Sequence, residues 1–365
     1  MTTAPDLLRP DSIDRAQAFR IGRSARPSGW LIPVAAGLVI LLAFMPALVS
    51  AGDTSLLVNV FILLTISTMW NLLAGYAGMV SIGQQAFIGL GAYAVLIGAI
   101  HGMEPFTVIP IAAVVCAVIA LPISVLVFRT RGGYFAIATW VVASTAELVI
   151  SSITSIGGGT GRSVPGLASL SPSLYGHITY WSSLAVVVVS LAITYLLLRS
   201  RLGLVLAAVR DDEDGARAAG ARVMTARRIV FMVAARGCGA AGALLAVSQL
   251  QVQPASVFSV QFSAEIIFVT LIGGMGTIEG PIIGTIIYFA LQQNLAQHGA
   301  WYLIIVGTVA VVIAIWLPRG LWGTATRRLR FEFFPVGYHV LPLKSQKKPS
   351  TPGAGATQPA GASDG

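Results

Sequence analysis

The chain has 365 residues, of which 56% are hydrophobic and only 10% are charged. Its mean hydropathy is +0.82, whereas soluble domains carry about 25% charged residues. This composition excludes an ordinary soluble domain and indicates an integral membrane protein. The net charge of +9 does not indicate nucleic-acid binding, because most Lys and Arg residues lie in the two tails and one central loop. The two cysteines, Cys116 and Cys238, lie in apolar segments without metal-ligand spacing, so we expect no metal site and no cofactor.

The apolar segments, taken in chain order, predict an all-α membrane protein. The apolar segment 30–50 follows a polar tail. With about 20 residues it is long enough to cross the bilayer and too long for the core of a signal peptide. Six further segments have spanning length, namely 56–75, 106–128, 132–150, 180–198, 229–247 and 301–317. Two other apolar regions, 76–100 and 266–295, are interrupted by glycines.

The positive charges in the loops predict the topology. Arg129 and Arg131 mark one cytoplasmic loop, and seven arginines between 199 and 228 mark another, as the positive-inside rule requires. Seven further Lys and Arg residues follow Leu317, which would place the C-terminal tail in the cytoplasm as well. The region 266–295 must then cross twice as two short helices, which gives about ten transmembrane helices with both termini cytoplasmic.

This topology divides the chain into three parts. Residues 1–29 form a cytoplasmic tail, and residues 30–320 form the transmembrane domain with a cytoplasmic loop at 199–228. Residues 321–365 form a basic tail. From about residue 345 this tail consists of Lys, Pro, Gly, Ala and Ser with little to bury, so we expect it to be largely disordered.

The glycine-rich stretches of the two interrupted regions resemble each other. Residues 73–78 read LAGYAG and residues 271–276 read LIGGMG. Glycine-broken segments in corresponding halves indicate a repeat with the transport pathway between the halves. Close helix packing would also select small residues, and this alternative stays open. The glycines expected to have a structural role are Gly75, Gly78, Gly83, Gly273, Gly274, Gly276 and Gly280.

The central cytoplasmic loop combines an acidic run with an alanine-rich stretch. Asp211, Asp212 and Glu213 would favour the start of a helix, because acids complement its positive N-terminal end. At helical spacing, Ala216, Ala219 and Gly220 then fall on one small-residue face. Such a face could fit a groove of a partner protein, or the segment could be an ordinary amphipathic helix at the lipid surface.

Polar residues within the apolar segments are the candidates for a translocation pathway, since ionisable residues in the membrane usually face a bundle interior or a wet cavity. Ser81, Gln84 and Gln85 lie among glycines, where they could contact a solute or could join helices by hydrogen bonds. Glu147 and Glu265 lie near outer helix ends, where snorkelling to the interface is the alternative. Arg236 lies in mid-span, and we expect an acid or a carbonyl of the same chain to pair with it.

The chain has no phosphate-binding loop and no Ser/His/Asp set, so we expect it not to be an enzyme. The loop 210–223 resembles the coupling loop of permeases of ATP-binding-cassette (ABC) importers. Residues 71–93 and 273–284 are similar to the signature of branched-chain amino acid permeases of the LivM type, and the resemblance covers about residues 30 to 320. The sequence departs from the family pattern at 214–215, where it has Asp-Gly, and at Arg236.

The resemblance implies a permease subunit in the cell membrane that imports branched-chain amino acids. Its implied partners are a homologous second permease, two cytoplasmic ATPase subunits and an extracytoplasmic solute-binding protein. Three alternatives stay open: a permease of the same family for urea, short amides or aromatic acids, an ion-driven secondary transporter, and a structural membrane subunit.

Overall fold

The computed structural model describes residues 19–23, 31–48, 50–167, 171–295, 301–317, 320–329 and 338–342. The described residues divide into two compact units, one with residues 19–23 and 338–342 and the other with the described residues from 31 to 329. In the first unit, the strand Phe19–Arg23 pairs antiparallel with the strand Tyr338–Pro342. The second unit contains the helical bundle.

The described part of the second unit is almost entirely helical. In chain order its helices are α1 Leu31–Leu48, α2 Ala51–Asn71, α3 Gln84–Ile100, α4 Pro105–Val127, α5 Gly133–Ser152, α6 Pro172–Arg199, α7 Arg201–Asp211, α8 Glu213–Ala218, α9 Val223–Gln249, α10 Pro254–Val257, α11 Val260–Gly273, α12 Glu279–Leu295, α13 Trp301–Trp316 and α14 Gly320–Leu329. A π-helical turn, Leu72–Tyr76, continues α2. The two-residue strand Arg162–Ser163 lies between α5 and α6. It pairs antiparallel with the strand Gln251–Val252, which lies between α9 and α10.

The fold class is that of an all-helical membrane protein. Within the described residues, six helical segments are long and apolar enough to cross a bilayer: α2 with its π-helical turn, α4, α5, α6, α9, and α10 with α11. α1 and α3 are shorter apolar helices. The region 266–295 contains the end of α11 and all of α12, so two helices flank its glycine-rich turn.

Helix α9 lies at the centre of the bundle and packs against α2, α3, α4 and α6. Its crossing with α3 depends on glycines, because a Cβ on Gly91 would collide with the Gly239 carbonyl and a Cβ on Gly242 with the Ile88 carbonyl. Small residues of this kind let two membrane helices approach backbone to backbone. The crossing therefore fixes α3 against the centre of the bundle.

Residues 78–83 form an irregular segment between the end of the helix at Ala77 and α3. Its buried backbone groups bind side chains of neighbouring helices: the Ser81 carbonyl accepts from Trp70 Nε1 at 2.7 Å, and the Ile82 carbonyl accepts from Ser263 Oγ at 3.0 Å. Non-helical backbone at membrane depth requires such partners, since lipid offers none. The interrupted segment predicted at 76–100 is therefore a loop followed by a helix.

Part of the predicted C-terminal tail has regular secondary structure. Residues 320–329 form helix α14, and residues 338–342 form the strand that pairs with the N-terminal tail. The stretch after residue 345, to which the prediction of disorder mainly applied, lies outside the described residues.

Candidate functional site

The two glycine-rich stretches that the sequence analysis paired are in direct contact. Asn71, the last residue of α2, donates from Nδ2 to the Thr277 carbonyl at 2.7 Å and accepts at Oδ1 from the Gly276 amide at 2.8 Å. Gly75 lies so close that a Cβ there would be 2.5 Å from the Gly276 nitrogen. We call these four residues the glycine junction. It joins the end of α2 to the turn between α11 and α12.

The other predicted structural glycines also lie at close approaches or in left-handed turns. A Cβ would collide with a backbone carbonyl at Gly83, Gly273 and Gly280, and φ is positive at Gly78 and Gly274. These positions therefore have the close contacts and backbone conformations that favour glycine.

Arg210 connects the arginine-rich loop to the glycine junction. It lies near the end of α7, and its Nη1 donates to the Gly75 carbonyl at 3.0 Å, while its Nε donates to Asp211 Oδ1 at 3.2 Å. The helix ends just after Gly75, at Tyr76, and carbonyls at a helix end lack partners within the helix. The guanidinium supplies that partner from a different element. No sequence pattern distinguishes Arg210 from the other arginines of this loop, although it stands directly before the acidic run.

The acidic run of the loop is folded onto the loop itself. Asp212 is the N-cap of α8, and its Oδ1 accepts from the Gly215 amide at 3.0 Å. Glu213 accepts from Arg217 at 2.9 Å and from Arg227, in the first turns of α9, at 2.8 Å. The glycine at 215 leaves room for the cap, because a Cβ there would collide with the Asp212 carboxylate. α8 is thereby held against the start of α9.

The small-residue face predicted for this loop is not a continuous helical face. α8 has only six residues, and Ala216 is buried against Val209 and Val223 of the same chain. Ala219 and Gly220 lie beyond the helix and are exposed. The prediction that Ala216, Ala219 and Gly220 share one face is therefore wrong, because the helix ends before the second of them.

Gly220 has a backbone role that the sequence analysis missed. Its φ is +83°, its amide donates to the Arg217 carbonyl at 3.0 Å, and the Ala221 amide donates to the Ala216 carbonyl at 3.0 Å. These two bonds form a Schellman motif, which normally requires glycine at the left-handed position. Gly220 thus ends α8 and directs the chain into α9.

The polar residues at the start of α3 lie inside the bundle. Ser81, Gln84 and Gln85 are all buried. Gln85 Oε1 shares the one hydroxyl proton of Ser263 on α11 with the Ile82 carbonyl, and Gln84 Oε1 accepts from Cys238 Sγ of α9 at 3.2 Å. They line none of the three cavities described below. These contacts favour the alternative, hydrogen bonding between helices, for Gln84 and Gln85, whereas the Ser81 hydroxyl accepts from the Gly83 amide of its own segment at 3.2 Å.

Glu265 lines a polar cavity of about 470 Å³ between α2, α9, α11 and α12. Its carboxylate accepts from Gln261 Nε2 at 2.8 Å. The cavity lies away from the arginine-rich loop, since its lining includes Gln249, the last residue of α9. Its other polar lining residues are Asn59, Tyr288, Gln292 and Gln293. A second cavity of about 500 Å³, lined also by Ser248 and His177, shares Asn59 and Gln249 with the first.

Arg236 points out of the centre of the bundle. Its side chain is exposed and lines an apolar cavity of about 240 Å³ between α4, α6 and α9. No ion pair or hydrogen bond of Arg236 occurs among the described residues. The predicted acid or carbonyl partner of Arg236 is therefore not found among the residues that the structure describes. Glu147 is half-buried on α5 and lines none of the three cavities.

Comparison with known proteins assigns the chain to a family. Residues 54–314 match the family described as branched-chain amino acid transport system / permease component. The high-affinity branched-chain amino acid transport system permease protein LivM of Escherichia coli (strain K12) is 26% identical over 326 residues, covering 81% of this chain and 76% of that protein. LivM of Salmonella typhimurium (strain LT2) is 25% identical with the same coverage. No solved structure matches the chain.

The family match extends over α2 to α13, and so includes the glycine junction, the arginine-rich loop and the polar cavity. It covers well over half of the chain. The chain belongs to the family of permease components of branched-chain amino acid transport systems.

Proposed function

We propose that the chain is the permease subunit of an ABC importer for branched-chain amino acids. In this proposal it pairs with a homologous permease, two cytoplasmic ATPase subunits and an extracytoplasmic solute-binding protein in the cell membrane. The ATPases supply the energy, and this chain provides a path for the solute.

The observation that carries the proposal is the hydrogen bond between Arg210 and the Gly75 carbonyl. It links a cytoplasmic loop to the place where α2 and the turn between α11 and α12 are held together by Asn71. A rigid-body movement of the loop would therefore pull on both glycine-broken segments. Packed elements with two arrangements transmit such movements in transporters.

The same contact supports ten crossings with both termini in the cytoplasm. If the arginine-rich loop is cytoplasmic, as its charge requires, the turn 274–278 lies at the cytoplasmic end too, because Asn71 binds it and Arg210 reaches Gly75 beside it. α11 and α12 then cross in opposite directions, and α13 returns the chain to the cytoplasm. The contact between Gly75 and Gly276 also supports reading the two glycine-broken segments as corresponding parts of two repeated halves.

The exposed side of the loop is the proposed ATPase contact. Asp211, Asp212, Asp214, Ala219 and Gly220 are exposed, whereas Glu213 is half-buried between Arg217 and Arg227. Asp212 also caps α8. The ATPase would contact the short, small turn at Ala219–Gly220 and the acids beside the start of α8. Ala216 is buried against Val209 and Val223 beside that turn, so in this proposal it does not contact the ATPase.

The cavity at Glu265 is the proposed outer part of the solute pathway. A zwitterionic amino acid presents an ammonium group, for which a half-buried carboxylate is the fitting partner. The amides of Asn59 and Gln249 can accept or donate hydrogen bonds, and the aliphatic lining includes Leu56 and Ile62. This lining suits a solute that is polar at one end and aliphatic at the other.

Uptake of labelled leucine by cells that lack only this chain tests the proposal. Uptake should disappear, return with the parent gene, and stop when ATP is depleted while the ion gradients are clamped. Unchanged uptake without the chain would make it a structural subunit. Uptake that survives ATP depletion but collapses with the gradients would make it a secondary transporter, and uptake of urea or an aromatic acid in place of leucine would change the solute.

A further inference from the structure

Arg236 is exposed at an apolar groove on the outer surface of the bundle. The groove, with a volume of about 240 Å³, lies between α4 and α6 over α9, and its walls include Ile109, Ala113, Val186 and Val189. Arg236 and Ser190 are the polar residues of its lining. We propose that this groove binds an anionic phospholipid, with its phosphate on Arg236 and part of one acyl chain between α4 and α6.

The depth of Arg236 fits a lipid headgroup at the arginine-rich end of α9. Arg227, which pairs with Glu213 of the cytoplasmic loop, precedes it by nine residues, or about 14 Å of helix. Side chains on a helix lean towards its N-terminus, and arginines snorkel in that direction. The guanidinium therefore reaches back towards the headgroups of the nearer leaflet, while its stem stays beside the aliphatic groove.

The charge of the site requires an anion from outside the described chain. No acid of the described residues pairs with Arg236, and an unpaired arginine facing hydrocarbon is costly. Basic pockets between membrane helices on the cytoplasmic side are suited to anionic headgroups. The groove volume fits part of an acyl chain and is too small to seat a helix, which is about 10–12 Å across.

Lipid binding to the purified full-length chain in a neutral detergent tests the proposal. Dioleoylphosphatidylglycerol should bind about fivefold more tightly than dioleoylphosphatidylcholine, as measured by native mass spectrometry. Arg236→Gln should abolish this preference, and Arg236→Lys should keep most of it. The matched control is Arg131→Gln, which removes an exposed loop arginine and should leave the preference unchanged.

The acyl-chain half of the proposal has its own test. Ala185 is exposed and lines the groove, so Ala185→Trp should fill it and weaken phosphatidylglycerol binding while the arginine remains. Val118→Trp, on an exposed face of α4 outside the groove lining, should not. Glycerol phosphate, which has the charge without the chains, should not compete.

Three results would overturn the proposal. The parent could show no preference for the anionic lipid, or Arg236→Gln and Arg236→Lys could both retain it. A photo-crosslinker at position 189, which lines the groove and leaves Arg236 in place, could also capture the companion permease and no lipid in the assembled transporter, which would make the groove a subunit interface.

Discussion

Replacing Gly75 by alanine perturbs the glycine junction at its closest contact. The new Cβ would lie 2.5 Å from the Gly276 nitrogen and 2.9 Å from its Cα. The added Cβ would also collide with Asn71 Oδ1. Because the Gly276 atoms belong to the backbone, a shift of the Asn71 side chain cannot relieve the clash, and the turn after α11 must move. The two hydrogen bonds of Asn71 to that turn would then weaken. Overpacking costs about 1–3 kcal/mol and each hydrogen bond between membrane helices about 0.6 kcal/mol, which makes about 2–4 kcal/mol in all.

The assay is thermal unfolding of the purified full-length chain in detergent, followed by tryptophan fluorescence. Gly75→Ala should lower the unfolding midpoint clearly and should also reduce import. Gly37→Ala is the matched control, because Gly37 is a helical glycine with no atom near the added Cβ, and alanine there should be neutral or stabilising. An unfolding midpoint and an import rate equal to those of the parent would refute the proposed junction.

Three further substitutions test the loop and the cavity. Arg210→Gln should reduce import about tenfold, since a hydrogen bond from a charged group is lost, while Arg201→Gln, at an exposed position, should leave import near the parent level. Gly220→Ala should weaken co-purification of the ATPase more than Gly220→Asn, because the left-handed backbone costs alanine about 1–2 kcal/mol and asparagine tolerates it. Glu265→Gln keeps a partner for Gln261 but loses the carboxylate, so the KM for leucine should rise about tenfold.

Hydropathy located the helices well, because spanning length and apolar composition are properties of a single segment. α4 covers 105–127, where the sequence predicts 106–128. α6 begins at Pro172, eight residues before the predicted start, because a helix can extend past the hydrocarbon region with polar residues. The role of the glycines was also predictable, although the pairing of Gly75 with Gly276 depends on tertiary structure.

The direction of single polar side chains was not predictable. Arg236 stands in α9 beside glycines and alanines, so no periodic pattern distinguishes the faces of that helix. Asn59 and Gln249 lie on different helices, 190 positions apart in the sequence, and only the fold brings them to one cavity. The turn at Gly220 is predictable, since glycine after an alanine-rich segment is a helix-end signal. Counting Gly220 on a helical face with Ala216 overlooks that signal.

Reconstitution in proteoliposomes tests the central claim, that ATP hydrolysis outside the bilayer drives import through this chain by way of Arg210. The chain would be combined with its companion permease, the ATPase subunits and the binding protein, and transport of labelled leucine would be measured with the ion gradients clamped. Transport should require ATP on the side of the arginine-rich loop, and Arg210→Gln should lower it while the ATPases stay bound. Transport that proceeds without ATP, or that is unchanged in Arg210→Gln, would contradict the account.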